Sequence, residues 1–343
     1  MKKILVMQLR HSGDVLLTLP AVKLLRRGFP DATIDFLVDA PHDQALLGSP
    51  DIDNVVVYDR TSTFGMLAAA RRGYYDCTID YLGTPRTAIL GAATGAALRA
   101  GYARVFHRWA YNKLYVVPPG SRYVAVEKMD LVSKLFGLPE GKIEFNVSLP
   151  EAARERAKAF LAPILDAGRP LITVAPGSQR HFNRWFPDRY APVIDWLQDE
   201  FSAAVVLLWA PKEKPLVDEI ASLCRLRPLV SPGTKGLTDV AAFLDLADLH
   251  IGADNGGKHV ATAVGAATFT IYGPHDPVSW THPDRSRHRY IKTDACLCEH
   301  DVRRKHACRE LACLRAVTIP DVERAIRAFL PEILAKKPAR RTT

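Results

Sequence analysis

Leu249-His250-Ile251-Gly252, followed by Asp254-Asn255-Gly256-Gly257-Lys258-His259 and the small-residue run from Val260 to Gly265, is the stretch that decides the fold. An apolar run that empties into paired glycines and resumes with helical sequence reads as a strand, a tight turn and a helix start. A helix start leaves backbone N–H groups unpaired and carries the positive end of the helix dipole. Two glycines let an anion approach that backbone, and Lys258 and His259 add side-chain donors. The chemistry is that of a phosphate or diphosphate seat. The plain alternative is a glycine turn capped by Asp254 or Asn255.

Outward from this stretch the same alternation recurs. On the N-terminal side, Leu171 to Ala175, Ala203 to Trp209 and Pro228 to Val230 read as strands, and Thr268 to Tyr272 as the next one beyond. Helical patterns separate them at Glu151 to Leu165, Tyr190 to Asp199, Pro215 to Cys224 and Leu237 to Leu246. An earlier series has strands at Lys3 to Gln8, Thr33 to Val38, Asn54 to Tyr58 and Tyr75 to Asp80. Its helices are Asp14 to Arg27, Phe64 to Arg72 and Arg86 to Thr94. Strand–helix alternation predicts an α/β fold with parallel sheets covered on both faces, here twice over. The joint falls near Asn146 to Glu151. The expected domains are residues 1–150 and 151–330, with a basic tail at 331–343. Ligands on such sheets bind at the carboxyl ends of the strands.

The 343 residues are 48% hydrophobic and 24% charged, which suits an ordinary globular protein with full cores. No apolar run approaches a membrane span of ~20 residues. Met1 to Val6 leads straight into a strand rather than a signal peptide, so a cytoplasmic location is expected. The formal charge of +9 suits acidic partners: nucleotide phosphates, phosphorylated sugars or an anionic membrane face. Basic clusters stand at Arg303-Arg304-Lys305 and Lys336 to Arg341. No nucleic-acid-binding motif is present, and none is expected as a partner. Cys77 and Cys224 read as core residues. Cys296, Cys298, Cys308 and Cys313 leave three readings open: a metal clip, a redox set or a stapled loop.

The second candidate site follows the first strand, at Arg10-His11-Ser12-Gly13-Asp14. Gly13 permits a tight turn, and Asp14 then stands at a strand end. A carboxylate there accepts a proton from a substrate hydroxyl, or else caps the helix. No G-x-G-x-x-G follows this strand and no G-x-x-x-x-G-K-[ST] loop exists, which excludes the usual dinucleotide oxidoreductase and P-loop signatures. Asp51-Ile52-Asp53 has the spacing of a D-x-D metal motif, but reads as a solvated turn.

Arg10 through Pro20 resembles the opening of the heptosyltransferase family, glycosyltransferase family nine. So do Val174-Ala175-Pro176-Gly177-Ser178 with Arg184-Trp185 and Pro187, and Asp254-Asn255-Gly256-Gly257-Lys258-His259-Val260-Ala261. Tyr75 to Asp80 and the late cysteines up to Cys313-Leu314 fit as well, in one order over nearly the whole chain. The resemblance implies the GT-B architecture, two Rossmann-like domains facing across a cleft. The first would bind the acceptor and the second the donor. It implies inverting sugar transfer, with ADP-heptose as donor and the lipopolysaccharide inner core as acceptor. No cofactor and no essential metal are implied.

On that basis Asp14 is the expected base. Gly13, Pro176, Gly177, Ser178, Arg184, Glu213, Asp254, Asn255, Gly256, Gly257, Lys258 and His259 are expected at the donor. Arg10, Arg60, Arg86 and Arg104 are expected at the acceptor, with Arg108 and Arg122 as further candidates. The basic-aromatic stretch with Trp109, Tyr111 and Tyr115 faces lipid headgroups or is plain surface. Ser178 also reads as an ordinary turn residue, Glu213 as a solvated carboxylate between two lysines, and His259 as a packing residue. One departure stands out: Asn183 precedes Arg184-Trp185 where many members carry lysine. Two other functions stay open, transfer from a different nucleotide sugar and a non-catalytic nucleotide-sugar or glycolipid binder.

Overall fold

The structure is a computed structural model, and it describes residues 1–295, 298 and 308–336. The chain forms two compact units, Met1–Ser148 and Leu149 onward. Cys296, the cluster Arg303-Arg304-Lys305 and the tail from residue 337 lie outside the described residues.

The first unit carries β1 (Lys3–Met7), β2 (Thr33–Val38), β3 (Asn54–Val57), β4 (Cys77–Asp80), β5 (Leu98–Tyr102) and β6 (Lys113–Tyr115). They form one six-stranded sheet in the order β3-β2-β1-β4-β5-β6. The second unit carries β7 (Leu171–Ala175), β8 (Ala204–Leu207), β9 (Leu229–Val230), β10 (Leu249–Ala253), β11 (Ala267–Ile271) and β12 (His288–Ile291). Its sheet runs β12-β11-β10-β7-β8-β9, the same winding once the strands are renumbered from its own first. The pairings are parallel. Central strands such as Lys-Ile-Leu-Val-Met and Leu-Ile-Thr-Val-Ala are nearly continuous apolar runs, because helices cover both faces of a parallel sheet.

This winding positions the sites. Each chain half begins in mid-sheet, moves outward, then returns to the other side of its first strand. The reversal falls between β1 and β4 in one sheet and between β7 and β10 in the other. Met7 pairs with Asp80, and Ala175 with Gly252, at the carboxyl ends of these neighbours. The connections leave in opposite directions there and open a crevice in each sheet. Arg10–Asp14 follows β1, Pro176–Ser178 follows β7, and Asp254–Gly257 follows β10.

Some elements differ from the sequence expectation. The helix expected over Asp14 to Arg27 is two helices, Ser12–Leu16 and Leu19–Gly28, since Pro20 lacks the N–H that a continuous helix would bond to Leu16. The short strands β5, β6 and β12 mix charged residues and glycine with few apolar ones, so no periodicity marked them. Helix Val124–Phe136 was also unmarked, because a lysine interrupts its buried stripe of Ala125, Met129 and Val132. Asp51-Ile52-Asp53 is a turn that is solvated only at Asp53. Asp51 is buried, and the Asp53 carboxylate accepts hydrogen bonds from the Ile34 N–H at 2.6 Å and from Arg26 at 2.5 Å.

Candidate active site

In the second unit, helix Gly256–Ala263 starts directly after β10. Asn255 is its N-cap, its Oδ1 accepting from the Lys258 N–H at 3.3 Å. The Asn255 amide donates to the Gly177 carbonyl at 2.7 Å and so ties the β10 loop to the β7 loop. A helix start leaves its first N–H groups without intrahelical partners, and nothing stands within 4 Å of where a side chain on Gly256 would begin. The space is suited to an oxyanion held by backbone donors.

Gly177 and Glu213 are packed against each other. A Cβ at position 177 would overlap the Glu213 carboxyl, so the glycine is required by this close approach. Glu213 is held in place by the Ala210 N–H at 3.0 Å. The Arg184 Nε donates to the Ser178 carbonyl at 2.6 Å, and the Ser178 hydroxyl accepts from the Arg180 N–H at 3.3 Å. Pro176, Gly177, Ser178, Arg184, Glu213, Asp254, Asn255, Gly256 and Gly257 are therefore in one place.

Lys258 and His259 are both buried. Lys258 is 3% exposed, and its ammonium turns inward to the Asp254 carboxylate and to the Tyr272 hydroxyl at 2.5 Å. Tyr272 in turn bonds Thr281 at 2.8 Å. Asp254 also meets His275 Nδ1 at 2.5 Å, and the Asn183 amide donates to its carbonyl at 3.0 Å. Burial pushes the Asp254 carboxyl up, but the charge of Lys258 and the bond from His275 outweigh it and hold the group well below the usual carboxylate range. The Asp254 carboxylate matches this buried ammonium, so the lysine is committed to the base of the turn. His259 is buried, with its ring edge-on to Trp280 at 6.1 Å. Asn183, the departure from the family pattern, lies in this network, and its Oδ1 is buried without a partner among the described residues.

In the first unit, Asp14 sits in the first turn of helix Ser12–Leu16, while the N-cap is His11. Its carboxylate accepts no hydrogen bond among the described residues, so the capping role is not used. The unusual backbone falls on His11, at φ +62°, and not on Gly13. Ser12 bonds His42 Nδ1 at 2.9 Å beside it. A pocket lined by Leu9, Arg10, Asp39, Leu82, Thr84, Pro85 and Arg86 opens at the ends of β1, β2 and β4. Arg60 joins it through the buried Asp39 at 2.6 Å, and the second Asp39 oxygen has no partner among the described residues. Three of the four expected acceptor arginines thus surround one pocket. Arg104 stands apart, paired with Glu127 at 2.7 Å over the Tyr102 ring.

Sequence reasoning missed Lys128, His275 and Asp39. The lysine breaking an apolar helical stripe was a legible signal. His275 and Asp39 follow strand ends, where polar residues are too common to single out. Of the late cysteines, Cys298 and Cys313 are buried and Cys308 is half-buried, and no metal-ligand cluster occurs among the described residues. No described helix is long and apolar enough to cross a membrane.

Comparison with known proteins connects these features. The glycosyltransferase family 9 (heptosyltransferase) sequence pattern matches residues 66–311, a range that holds the whole second-unit seat and begins beyond Asp14. The lipopolysaccharide heptosyltransferase 3 of Escherichia coli K12 is 25% identical over 287 residues, covering 79% of this chain and 83% of that one. Among solved structures, a family 9 glycosyl transferase from Veillonella parvula superposes with a TM-score of 0.81 at 24% identity, covering 96% of this chain and 97% of that one. The E. coli heptosyltransferase WaaC with ADP superposes at 0.74 and 19%, covering 98% and 100%. These structures share its fold, two Rossmann-like units of the GT-B class. With the family pattern spanning most of its length, this chain belongs to glycosyltransferase family 9 and is a glycosyltransferase.

Proposed function

We propose that this enzyme transfers heptose from ADP-heptose to the inner core of lipopolysaccharide, with inversion at the anomeric carbon. The observation that carries the reading is the helix Gly256–Ala263 start, with its first N–H groups and the open space at Gly256, beside Gly177 and Glu213. The relative named above as a lipopolysaccharide heptosyltransferase, and the heptosyltransferase with ADP that shares the fold, support the substrate class.

Asp14 is the base in this reading. Its uncommitted carboxylate takes the proton of the acceptor hydroxyl as that oxygen bonds to the anomeric carbon. The bond from that carbon to the diphosphate oxygen breaks, and its electron pair leaves with ADP. The N–H groups of Gly256 and Gly257, with the outer edge of the Arg184 guanidinium, hold the charge that develops on the leaving oxygens. Glu213 accepts the ribose hydroxyls. Asp254, Lys258 and His275 keep the turn in shape from below. Arg10, Arg60 and Arg86 receive the anionic acceptor.

The first unit also meets an anionic membrane face from the cytoplasmic side in this reading. From Tyr81 to Val126 the chain has no Asp or Glu, yet carries Arg86, Arg99, Arg104, Arg108, Lys113 and Arg122. Phe106 is 97% and Trp109 65% exposed in the same stretch. Basic residues with exposed aromatics suit headgroups and the interface beneath them.

The test is mass spectrometry of products from a panel of nucleotide sugars with defined core acceptors. Heptose addition from ADP-heptose supports the reading. Transfer from a different donor replaces the sugar while keeping the fold and base. ADP binding by titration calorimetry without transfer from any donor would make the protein a binder.

A further inference from the structure

Lys128 is 4% exposed, and no carboxylate oxygen lies within ion-pair distance of it among the described residues. Its ammonium instead meets three neutral oxygens: Gln8 Oε1 at 3.2 Å, the Asp14 carbonyl at 2.6 Å and Thr18 Oγ1 at 2.9 Å. Each of the three can only accept. The Gln8 amide nitrogen is committed to the Arg10 carbonyl at 3.0 Å, which directs its oxygen to the lysine. The Thr18 hydroxyl donates its proton to the Asp14 carbonyl at 2.8 Å. The Asp14 carbonyl lacks its own helical partner, because the Thr18 N–H bonds Val15 instead. Three acceptors use all three protons of an ammonium.

These partners span the segment that carries the base: the end of β1, the turn and the start of the next helix. Within it His11 holds a left-handed backbone that an L-residue adopts at a cost. Such a conformation persists only where the surroundings over-determine it. We propose that Lys128 is the positioning residue of this loop, its ammonium clamping Gln8, Asp14 and Thr18 so that the Asp14 carboxylate is presented to the acceptor hydroxyl. The inference rests on Asp14 being the base.

The clamp needs the charged form. A neutral amine has two protons and a lone pair, which would face one of three acceptors. The groups acting on Lys128 are Asp14 and Glu127, which favour its charge, and Arg104, which opposes it, with the Tyr81 ring 5.4 Å away. Burial dominates and pulls the ammonium down to about 8. Turnover therefore declines above that pH as the clamp loses its third hydrogen bond.

The experiment is the pH profile of kcat for the full-length protein with ADP-heptose and a defined core acceptor, together with ADP affinity by calorimetry. The wild type should lose turnover as pH rises through about 8, and Lys128→Arg, which cannot deprotonate in this range, should remain active and lose that limb. Lys128→Met should lower kcat by about tenfold or more at neutral pH, within the range of general-base effects, and leave ADP affinity unchanged. If Lys128→Met fails to fold, Thr18→Val tests the same clamp: with one acceptor gone, the alkaline limb should move to lower pH. Wild-type kcat and an unmoved limb in Lys128→Met, or an unmoved limb in Thr18→Val, overturns the inference. Asp14→Asn separates the two claims. Normal turnover there removes the base reading, whereas an inactive Asp14→Asn beside a fully active Lys128→Met removes only the clamp.

Discussion

Two lysines are buried among the described residues, one under each switch-point loop, and they are handled in opposite ways. Lys258 lies beneath the β10 turn and is neutralised by Asp254, with Tyr272 completing its hydrogen bonds. Lys128 lies beneath the β1 turn and meets only neutral oxygens. The first arrangement is closed. It adds no net charge to the seat above and leaves backbone N–H groups to hold an anion. The second leaves a positive charge close to an unpaired carboxylate. A loop that only has to be rigid can use an ion pair. A loop that presents a base benefits from a clamp that does not consume that base.

The strongest way to break this comparison is at Asp14. Asp14→Asn keeps the shape and removes the proton acceptor, so kcat should decrease by about 10²–10⁴-fold while ADP affinity stays unchanged. Undiminished turnover would leave Lys128 with nothing to position. Next in size is the Lys258 pair. Lys258→Met leaves the buried Asp254 charge with His275 as its remaining partner and should cost about 3–5 kcal/mol of stability by urea unfolding. Adding Asp254→Leu should recover most of that loss, since removing both charges is far less costly than removing one. If the double variant is no more stable than the single one, the pair is not the closed unit described here.

The third prediction concerns pH. The Lys128 ammonium is depressed from 10.5 to about 8, so the folded state holds this proton less tightly than the unfolded chain. Its contribution to stability is full above pH 10.5 and is lost as pH falls through 8, about 1.4 kcal/mol for each unit of depression. Stability linked to Lys128 and turnover should thus move in opposite directions between pH 8 and 10.5. Lys128→Arg should abolish both trends, and parallel trends in the wild type would argue against the clamp. The smallest effect is at Gly177. Gly177→Ala forces the Glu213 carboxyl aside and should weaken ADP binding by about tenfold, or 1.4 kcal/mol, with little change in kcat. Unaltered affinity would show that Glu213 does not serve the nucleotide.

The sites were legible to different degrees. Asn255-Gly256-Gly257 and Pro176-Gly177-Ser178 were readable because glycine and helix-cap chemistry are local properties of the chain. Asp14 was readable as a strand-end carboxylate. Lys258 was read toward the ligand, but a lysine next to a glycine turn points either way in sequence. Only the fold brings Tyr272 and Thr281 close enough to draw it inward. Gly13 was read as permitting the tight turn, and the positive φ falls two residues earlier, on His11. Lys128 lies more than a hundred positions from the loop it holds, and nothing local connects them.

The sequence by itself determined the alternation of strands and helices, the two series, the turn chemistry and the family pattern, because each depends on neighbouring residues. The tertiary structure alone decided which charges face inward and which backbone donors remain open. Those outcomes depend on burial, and burial is set by residues far apart in the chain that the parallel sheets and their covering helices bring together.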